Sequence, residues 1–551
     1  MNSILDPRRR NYISPTRVVW SRGLDEAAIA RLLAGGSGQC TVFGSAGIRL
    51  SAGVVVVLDF GAELAGGIRI ISGNTPEKQP AEVRVCFGES VSEALGRPDN
   101  THAIHDARVP LPWYGAAEFG NTGFRFVRIE VPPETAWVEL QDVRAVQLCR
   151  PLPWLGSFQC SDERLNRIWA AGARTVWLNM QEYLWDGPKR DRLVWMGDLY
   201  PELMAIAAVF GKTDLVPRSM DLVRDDTPLP RWMNTISSYS LWWILAQWQW
   251  FQLYGDRDYL AEQRDYLVAL VRQLDTFVSE AGISSLPNAM LDHPTSRNPA
   301  AVAAGNHALL LLAFLAAGNI ARAIKDPELA ARCLTVAGRL RQVSPNPGRS
   351  KPAACLLALA GLMQPGACNR KILSRNPLAD FSPFFGYFIL QARARAGDTG
   401  GCLQAIRDLW GGMLDLGATT FWEHFDFGWI KNASRIDEMP VQGKCDIHRE
   451  CGEFCYTGLR NSLCHGWSAG PTAWLTEHVL GIRPMLPGCR TLLVQPDLGD
   501  LTFAEGTFPT PWGTVRVAHR RLGTGQIRSS IVAPPEVRIV RKSNLTNVIG
   551  L

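Results

Sequence analysis

A run of charged and aromatic residues from Trp185 to Asp198 is the part of the sequence best suited to chemistry. It reads Trp-Asp-Gly-Pro-Lys-Arg-Asp-Arg-Leu-Val-Trp-Met-Gly-Asp and holds three carboxylates, three cations and two indoles. Gly187-Pro188 predicts a turn, so Asp186 is expected on a loop and Asp191 just before the next helix. A pocket that binds a polar ring and moves protons uses this mixture. A salt-bridged helix N-terminus would explain the charges without any chemistry.

A second acidic element lies far downstream, in the sequence Gly-Ala-Thr-Thr-Phe-Trp-Glu-His that ends at His424. Glu423 follows a turn of small residues and stands between Trp422 and His424. A carboxylate beside an aromatic wall is partly desolvated, which predicts a raised pKa suited to a general base. A partnered acid near a helix end is the structural alternative.

The two acidic elements matter most as a pair. Two carboxylates on opposite sides of one pocket are the minimal equipment for glycoside hydrolysis, because one protonates the departing oxygen and the other activates water.

Three segments of different character must position these residues. Residues 1–152 show branched and alternating runs separated by Gly, Asn and Pro, which predicts an N-terminal β-sandwich domain. Residues 153–480 carry apolar residues at helical spacing, including predicted helices over 194–210 and 467–480. Residues 481–551 return to a β pattern and predict a C-terminal β-sandwich domain.

The long helical segment suits an (α/α)6 barrel, in which two rings of helices are concentric. A helical solenoid would satisfy the helix count too, but the sequence shows no repeat of fixed period. The predicted fold class is therefore multidomain α+β, with an (α/α)6-barrel catalytic domain flanked by two β-sandwich domains.

Composition narrows the class of function. The net charge of +5 from 57 basic and 52 acidic residues is small for 551 residues, which argues against nucleic-acid and membrane-surface partners. Nineteen tryptophans favour contacts with the apolar faces of sugars, although indoles also fill protein cores. The partner expected is a carbohydrate substrate, and the chain is expected to be a monomer or a homodimer.

Location is predicted from cysteines and apolar segments. Thirteen scattered cysteines fit free thiols in a reducing compartment. Residues 1–21 contain no apolar signal core, and no later stretch is expected to reach the length of a membrane span. The chain as written is expected to be cytoplasmic, and secreted or periplasmic if a leader has been removed.

Both acidic elements resemble the α-L-rhamnosidases of glycoside hydrolase family 78. The family pattern Asp-Cys-Pro-x-Arg-Glu-(Lys/Arg)-x-Gly-Trp-x-Gly-Asp is similar to residues 186–198, and its base motif Gly-Ala-Thr-Thr-x-Trp-Glu is similar to residues 417–423. Residues 59–63, 156–162 and 462–471 also resemble that family. The likeness covers nearly the whole chain, in the expected order, and implies a divergent member.

The resemblance implies a role for each matching residue. Glu423 would be the general base, and Asp191 stands where the family has its general acid. The residues expected to bind substrate are Asp186, Arg190, Trp195, Asp198, Trp422, His465 and Trp243. No metal and no cofactor is implied. The family inverts stereochemistry, which requires carboxyl groups about 6.5–9.5 Å apart with water between sugar and base.

Asp191 is the main departure, because the family has glutamate there. Aspartate keeps the chemistry but shortens the side chain by one methylene. The neighbouring charges of Arg190 and Arg192 would lower its pKa and oppose an acid role unless they point away. Gly187 also replaces the usual cysteine, and Val194 the usual glycine.

Two alternatives to the predicted rhamnosidase stay open. One is another (α/α)6-barrel glycosidase with a different sugar specificity, and the other is a sugar-binding protein that has lost the catalytic acid.

The remaining candidate site residues have structural explanations that require no chemistry. Cys445, His448, Cys451 and Cys455 superficially offer zinc ligands, but their spacing matches no standard site. Residues 292–293 fit a turn, and Trp242 and Tyr387 fit either core packing or a pocket wall.

Overall fold

The computed structural model describes residues 5–43, 47–96 and 105–541. Contacts divide the chain into two compact units, and each is assembled from separate stretches of sequence. The first comprises Met1–Pro151, Trp177–Arg192 and Gly412–His465, and the second comprises Leu152–Val176, Leu193–Gly411 and Gly466–Leu551. The predicted division into three consecutive domains stays a prediction.

The N-terminal part of the first unit is an eight-stranded antiparallel sheet. Its strands are β1 (Arg9–Ile13), β2 (Arg17–Arg22), β3 (Ile48–Ser51), β4 (Val55–Ser72), β5 (Ala81–Gly88), β6 (Asp106–Leu111), β7 (Gly115–Glu130) and β8 (Trp137–Cys149). The order is β1-β8-β4-β7-β5-β6, with β2 on β4 and β3 on β8. The short helices α1 (Glu26–Ala34) and α2 (Val91–Ala94) accompany the sheet.

Strand β4 runs through the centre of this sheet because its sequence is apolar on both faces. Val56, Leu58 and Phe60 lie in the core cluster on one face, and Val57 lies in a second buried cluster on the other face. The register between β4 and β7 shifts between Asp59 and Leu64, which marks an irregularity in the ladder directly after the pair of Asp59 with Phe126.

The middle of the chain is helical, as predicted. Its helices are α3 (Glu163–Asn179), α4 (Met196–Val209), α5 (Leu215–Asp226), α6 (Ser237–Tyr254), α7 (Arg257–Glu262), α8 (Arg264–Asp275), α9 (Pro299–Ala323), α10 (Pro327–Leu340), α11 (Lys351–Leu359), α12 (Pro365–Cys368), α13 (Pro383–Arg395), α14 (Thr399–Asp415), α15 (Ile447–Glu450) and α16 (Gly470–Trp474).

Local signals explain where these helices begin and end. Asn298 and Asp326 accept hydrogen bonds from the first-turn amides of α9 and α10, and a proline follows each of these two residues. Helix α6 ends at Gly255, whose φ of +65° is the left-handed conformation that glycine adopts without strain. The helix predicted over 467–480 corresponds to three consecutive helical segments, a 3₁₀ turn (Gly466–Ala469), α16 and a π-helical turn (Leu475–Val479).

Helix α9 also corrects an expectation about membranes. Pro299–Ala323 contains an 18-residue window that is apolar enough to cross a membrane, judged by length and composition only. The sequence was expected to hold no such stretch. In the structure 78% of that window is buried inside the protein, which is what a central helix of a helical domain also shows.

Short strands occur after the first sheet: β9 (Ser157–Cys160), β10 (Ala433–Ser434), β11 (Cys445–Asp446), β12 (Ile482–Leu486), β13 (Thr491–Val494), β14 (Phe503–Thr510), β15 (Gly513–Arg521), β16 (Ile527–Val532) and β17 (Arg538–Val540). Two sheets contain the C-terminal strands, in the orders β12-β13-β17 and β16-β15-β14-β9. Strand β9 therefore pairs with a strand more than 340 residues later, since Cys160 lies opposite Ala504.

A buried ion pair ties the sheet to the segment that carries Glu423 within the first unit. The Arg125 guanidinium donates to both Asp59 oxygens, at 2.8 and 2.9 Å, and to the carbonyl of Gly417 at 3.0 Å. Arg17 donates to Asp59 as well, at 2.9 Å, and to the carbonyl of Asp437. Burial opposes ionisation of Asp59, but these hydrogen bonds and charges hold its pKa below the usual value.

This geometry predicts that Asp59→Asn destabilises the protein. Removing Asp59 leaves the buried Arg125 with only a longer contact to Asp437, at 3.6 Å. We therefore expect a loss of about 3 kcal/mol in the free energy of unfolding at pH 7, measured with urea. A group with a depressed folded-state pKa contributes stability above its unfolded pKa and loses it as the pH falls through the folded pKa. The difference from the unmodified protein should therefore shrink in acid.

Asp265→Asn is the matched control, because the Asp265 side chain is 96% exposed in its ion pair with Arg264. It should cost less than about 1 kcal/mol. Equal losses for the two variants would contradict the role given to Asp59.

Candidate active site

Arg190 is the centre of the candidate site in the first unit. Its side chain is buried, and its guanidinium uses each of its nitrogens: Nε donates to the carbonyl of Arg460 at 2.7 Å, Nη1 contacts Asp191 at 3.1 Å, and Nη2 pairs with Glu423. Asp186 also contributes to its electrostatic environment. Burial alone would disfavour the cation, but Glu423 and Asp191 raise the pKa of Arg190. The predicted acid and the predicted base therefore share one cation.

Glu423 is held by a backbone pairing between residues 420–424 and 461–465. Its amide donates to the carbonyl of Ser462 at 2.8 Å, and the amide of His465 donates to the carbonyl of Phe421 at 2.9 Å. The amide of Ser462 in turn donates to the Glu423 carboxylate at 3.2 Å. The side chain consequently has a fixed position and a buried environment.

The electrostatics of Glu423 differ from the expectation. Burial raises its pKa, as the aromatic neighbours suggested, but the charges of Arg190 and His465 and the hydrogen bonds from Arg190 and Ser462 outweigh that effect and lower it. The prediction of a raised pKa is wrong, because the cation that neutralises this carboxylate lies 233 residues away in sequence. A lowered pKa keeps Glu423 ionised, which is the state a general base needs.

Asp191 lies in a turn with an uncommon backbone conformation. The amide of Arg192 donates to the carbonyl of Arg190 at 2.7 Å, which closes a three-residue turn around Asp191. The φ angles of Asp191 and Arg192 are +53° and +56°, a left-handed region that non-glycine residues seldom occupy. The Asp191 side chain is 21% exposed, so it is the more accessible of the two carboxylates.

The cations beside Asp191 point in different directions. Arg190 contacts it directly, whereas the guanidinium of Arg192 lies 4.3 Å from the ring centre of Trp185 and donates to the carbonyl of Asn121 at 2.8 Å. Arg460 adds a longer contact, 3.8 Å from its Nη2 to the carboxylate.

Asp186 and Gly187 lead into this turn. Asp186 is buried, and its carbonyl accepts a hydrogen bond from the side chain of Asn179 at 2.9 Å. A Cβ atom at Gly187 would stand 2.9 Å from the carbonyl oxygen of Cys464 and 3.1 Å from the Ser462 Oγ. The cysteine that the family has there would need the 462–464 segment to move, so the glycine is matched to this backbone.

Lys189 forms a second buried cluster next to the first. Its Nζ contacts Glu89 at 2.9 Å and Glu93 at 3.1 Å, and donates to the carbonyls of Leu459 at 2.7 Å and Asn461 at 3.0 Å. Burial favours the neutral amine, but the two carboxylates raise the pKa of Lys189. The sequence reasoning missed this residue, although it lies inside the first motif.

The sequence-based prediction also omitted Glu89 and Glu93, although a local sequence pattern indicates a helix start at this position. Ser90 and Glu93 have the spacing of a helix-capping box after the buried strand β5, and the Ser90 Oγ accepts from the amide of Glu93 at 3.1 Å. Glu89 accepts from the amide of Leu463 at 2.7 Å. The Lys189 cluster therefore anchors the segment that carries Ser462 and His465.

The remaining predicted residues of this unit, Trp422 and His465, are both buried. Trp422 packs edge to face on Phe425, with ring centres 5.4 Å apart. His465 is buried, and its charge helps to lower the pKa of Glu423. The ring of His424 stacks on Tyr456 at 4.9 Å, so this neighbour of Glu423 is held by an aromatic contact.

Three predicted site residues belong to the second unit. Trp195 precedes α4 and packs edge to face on Tyr239 at 6.0 Å, and Asp198 is buried in the first turn of α4. A Cβ at Gly197 would stand 2.6 Å from the Tyr239 ring, so glycine is required there. Trp243 is fully buried and donates to the carbonyl of Met220 at 3.3 Å. That core environment gives no support to its predicted contact with sugar.

The weaker candidates have structural partners in the second unit. The Asp292 carboxylate accepts from the amide of Thr295 and the hydroxyl of Ser382, both at 2.9 Å, as the turn interpretation predicted. Tyr387 donates to Glu477 at 3.2 Å, and Trp242 packs on Phe388 at 4.7 Å.

Among the described residues, one group of carboxylate and imidazole side chains is arranged as metal ligands are, and a lysine lies among them. Glu89, Glu93 and His448 converge, and the Lys189 ammonium lies within 3.5 Å of all three. Burial and the Lys189 charge hold the pKa of His448 well below its usual value. The ammonium thus already neutralises the donors that a cation would use.

Comparison with known proteins identifies related domains. The bacterial alpha-L-rhamnosidase 6 hairpin glycosidase domain matches residues 153–315, and the bacterial alpha-L-rhamnosidase C-terminal domain matches residues 481–540. An alpha-L-rhamnosidase of Alteromonas sp. (strain LOR) is 24% identical over 89% of this chain. The chain spans 57% of the length of that relative.

Solved structures show the same fold. The family 78 rhamnosidase of Bacillus sp. GL1 has a TM-score of 0.74 and 24% identity, covering 95% of this chain and 56% of its own. The rhamnosidase from Klebsiella oxytoca with rhamnose bound has a TM-score of 0.67 and 21% identity, covering 86% of this chain and 96% of its own. The Streptomyces avermitilis alpha-L-rhamnosidase complexed with L-rhamnose has a TM-score of 0.67 and 19% identity, covering 89% of this chain and 49% of its own.

These matches agree with the motif resemblance and with a multidomain α+β fold. Two stretches of the chain, residues 153–315 and 481–540, match models of bacterial α-L-rhamnosidase domains, and the resemblance stated from the sequence is confirmed.

Proposed function

We propose that this chain is an inverting glycoside hydrolase that releases terminal α-L-rhamnose from a rhamnosylated glycan or glycoside. The observation that carries the proposal is the pairing of Asp191 and Glu423 with the two terminal nitrogens of one buried guanidinium. The rhamnosidase domains matched by the chain support the choice of sugar.

In this mechanism Glu423 is the base and Asp191 the acid. Glu423 takes a proton from water as the water oxygen bonds to the anomeric carbon. Asp191 gives its proton to the departing oxygen as the bond between that oxygen and the anomeric carbon breaks. Arg190 keeps Glu423 ionised before the reaction, because its charge and its hydrogen bond lower the pKa of that carboxylate.

The fold proposed to support this chemistry is an (α/α)6 barrel over residues 153–480 between β-sandwich domains over 1–152 and 481–551. The six-hairpin glycosidase match, which begins at residue 153, supports the barrel, and the match that begins at residue 481 supports the C-terminal boundary. Asp186, Arg190, Trp422 and His465 of the first unit are proposed to bind the sugar. The same role for Trp195 and Asp198 stays a prediction.

The first test measures the release of rhamnose and the anomeric configuration of the product. The protein should release rhamnose from 4-nitrophenyl α-L-rhamnoside, and proton NMR early in the reaction should show β-L-rhamnose as the first product. Glu423→Gln should lower kcat by a factor of about 10²–10⁴, because the amide cannot accept the proton. Rhamnose binding by calorimetry should persist in this variant.

Three outcomes would contradict the proposal. An α first product would exclude inversion, and a Gln variant with native turnover would exclude Glu423 as base. Activity only on aryl glycosides of another sugar would favour a barrel glycosidase of different specificity.

A second prediction concerns Asp191. Asp191→Asn should reduce turnover of an alkyl rhamnoside by about 10²–10⁴, while a nitrophenolate leaving group, which departs with little protonation, should lose far less. Asp191→Glu restores the residue of the family and should retain activity on both substrates. Equal losses on the two substrates would remove Asp191 from the acid role.

Binding of rhamnose without hydrolysis of either substrate by the unmodified protein would favour a sugar-binding protein instead.

A third prediction concerns pH. Arg190 lowers the pKa of Glu423, so Arg190→Gln should raise it and move the acidic limb of the kcat/KM profile to higher pH. Arg192→Gln is the control, because Arg192 contacts Trp185 and Asn121 and should leave that limb in place. An unmoved acidic limb in Arg190→Gln would show that another group sets the ionisation of the base.

A further inference from the structure

Two thiols of the first unit lie in contact outside the candidate site. The Sγ atoms of Cys445 and Cys451 are 3.3 Å apart, and both cysteines are free. A disulfide needs a sulfur–sulfur distance of about 2.05 Å, so bonding requires an approach of only about 1.2 Å. Rotation about the side-chain bonds covers such a distance without large movement of the backbone.

The backbone around the pair brings the two thiols together. Cys445 lies in β11, opposite Ala433 of β10, and Asp446 begins α15 by accepting from the amide of Arg449 at 3.2 Å. Cys451 follows the last residue of α15, and its carbonyl accepts from the amide of Gly458 at 3.0 Å. Hydrogen bonds therefore hold both ends of the turn.

Solvent reaches these thiols more than most others in the protein. Nine cysteines are buried, whereas Cys40, Cys445, Cys451 and Cys455 are half-buried. Three of these four occur within eleven residues of sequence. A small-molecule oxidant consequently has access to the contacting pair and not to most of the remaining thiols.

We propose that Cys445 and Cys451 form a redox modification site, a dithiol that a low-molecular-weight disulfide such as oxidised glutathione converts into an intramolecular disulfide. This site is separate from the proposed hydrolytic reaction and does not depend on it.

The exchange balances in two steps. The Cys445 thiolate attacks one sulfur of the oxidant, forms a mixed disulfide and releases the first glutathione as a thiolate that takes up a proton. The Cys451 sulfur then attacks the Cys445 sulfur of the mixed disulfide, loses its own proton and releases the second glutathione thiol. The protein gives up two electrons and two protons, and one oxidised glutathione becomes two thiols.

The order of attack follows from the surroundings of Cys451. Burial first, and then its hydrogen bond with Cys445, raise the pKa of the Cys451 thiol to about 12. Cys451 therefore keeps its proton at neutral pH, and the first nucleophile is assigned to Cys445.

The closed loop would include a residue that contacts the Lys189 cluster. His448 of α15 lies between the two cysteines in sequence, with its Nδ1 2.7 Å from the Ser90 hydroxyl and its Nε2 2.9 Å from the carbonyl of Asn461. Oxidation would thus tether the segment that presents His448 to that cluster.

The test uses the full-length protein, reduced, desalted and equilibrated with mixtures of reduced and oxidised glutathione. Remaining thiols are alkylated in denaturant and the protein is digested with trypsin, which cuts after Lys444, Arg449 and Arg460. Cys445 then lies on the peptide 445–449 and Cys451 on the peptide 450–460. We expect these two peptides to become disulfide-linked as the oxidised fraction rises, with fragmentation placing the bond at Cys451 rather than Cys455.

Two variants sharpen the result. Cys445→Ser should abolish the linked peptide pair, whereas Cys40→Ser removes another half-buried thiol and should leave it unchanged. Alkylation of both Cys445 and Cys451 at every ratio would overturn the proposal. So would a bond to Cys455, or a glutathione adduct that never proceeds to the linked peptides.

Discussion

The buried guanidinium of Arg190 is the interaction on which the candidate site depends. Burial disfavours the charged form of Glu423, and the charge of Arg190 outweighs that effect. Arg190 contacts Asp191 and Glu423 through different nitrogens, while its third nitrogen donates to the carbonyl of Arg460. The guanidinium is planar and rigid, so it sets the geometry of the pair as well as its charge.

Lys189, the residue before Arg190, is a second buried cation that is held by two carboxylates. Adjacent cations enter separate clusters, Lys189 among Glu89 and Glu93, and Arg190 between Asp191 and Glu423. Buried charges are tolerated only when they are paired and hydrogen-bonded, and both cations also donate to backbone carbonyls of residues 459–461. The loop that lies beside the base is therefore held by two charges from one short stretch of sequence.

The acid position shows how a substitution can be matched to its surroundings. Asp191 has a shorter side chain than glutamate, and it lies in a turn with positive φ closed by the Arg190 carbonyl and the Arg192 amide. Asp and Asn enter the left-handed region more readily than most other residues with a side chain. The aspartate thus fits the backbone conformation at position 191. Gly187 fits its position because residues 462–464 approach so closely that a Cβ atom there would contact them.

The sequence by itself determined the helical and strand character of each segment, the two acidic motifs and their resemblance to family 78. These depend on local periodicity, on turn residues and on short runs of specific side chains. It did not determine the lowered pKa of Glu423, the Lys189 cluster or the pairing of β9 with β14, because each joins residues far apart in the chain. Such contacts depend on which segments pack together, and only the tertiary structure decided that.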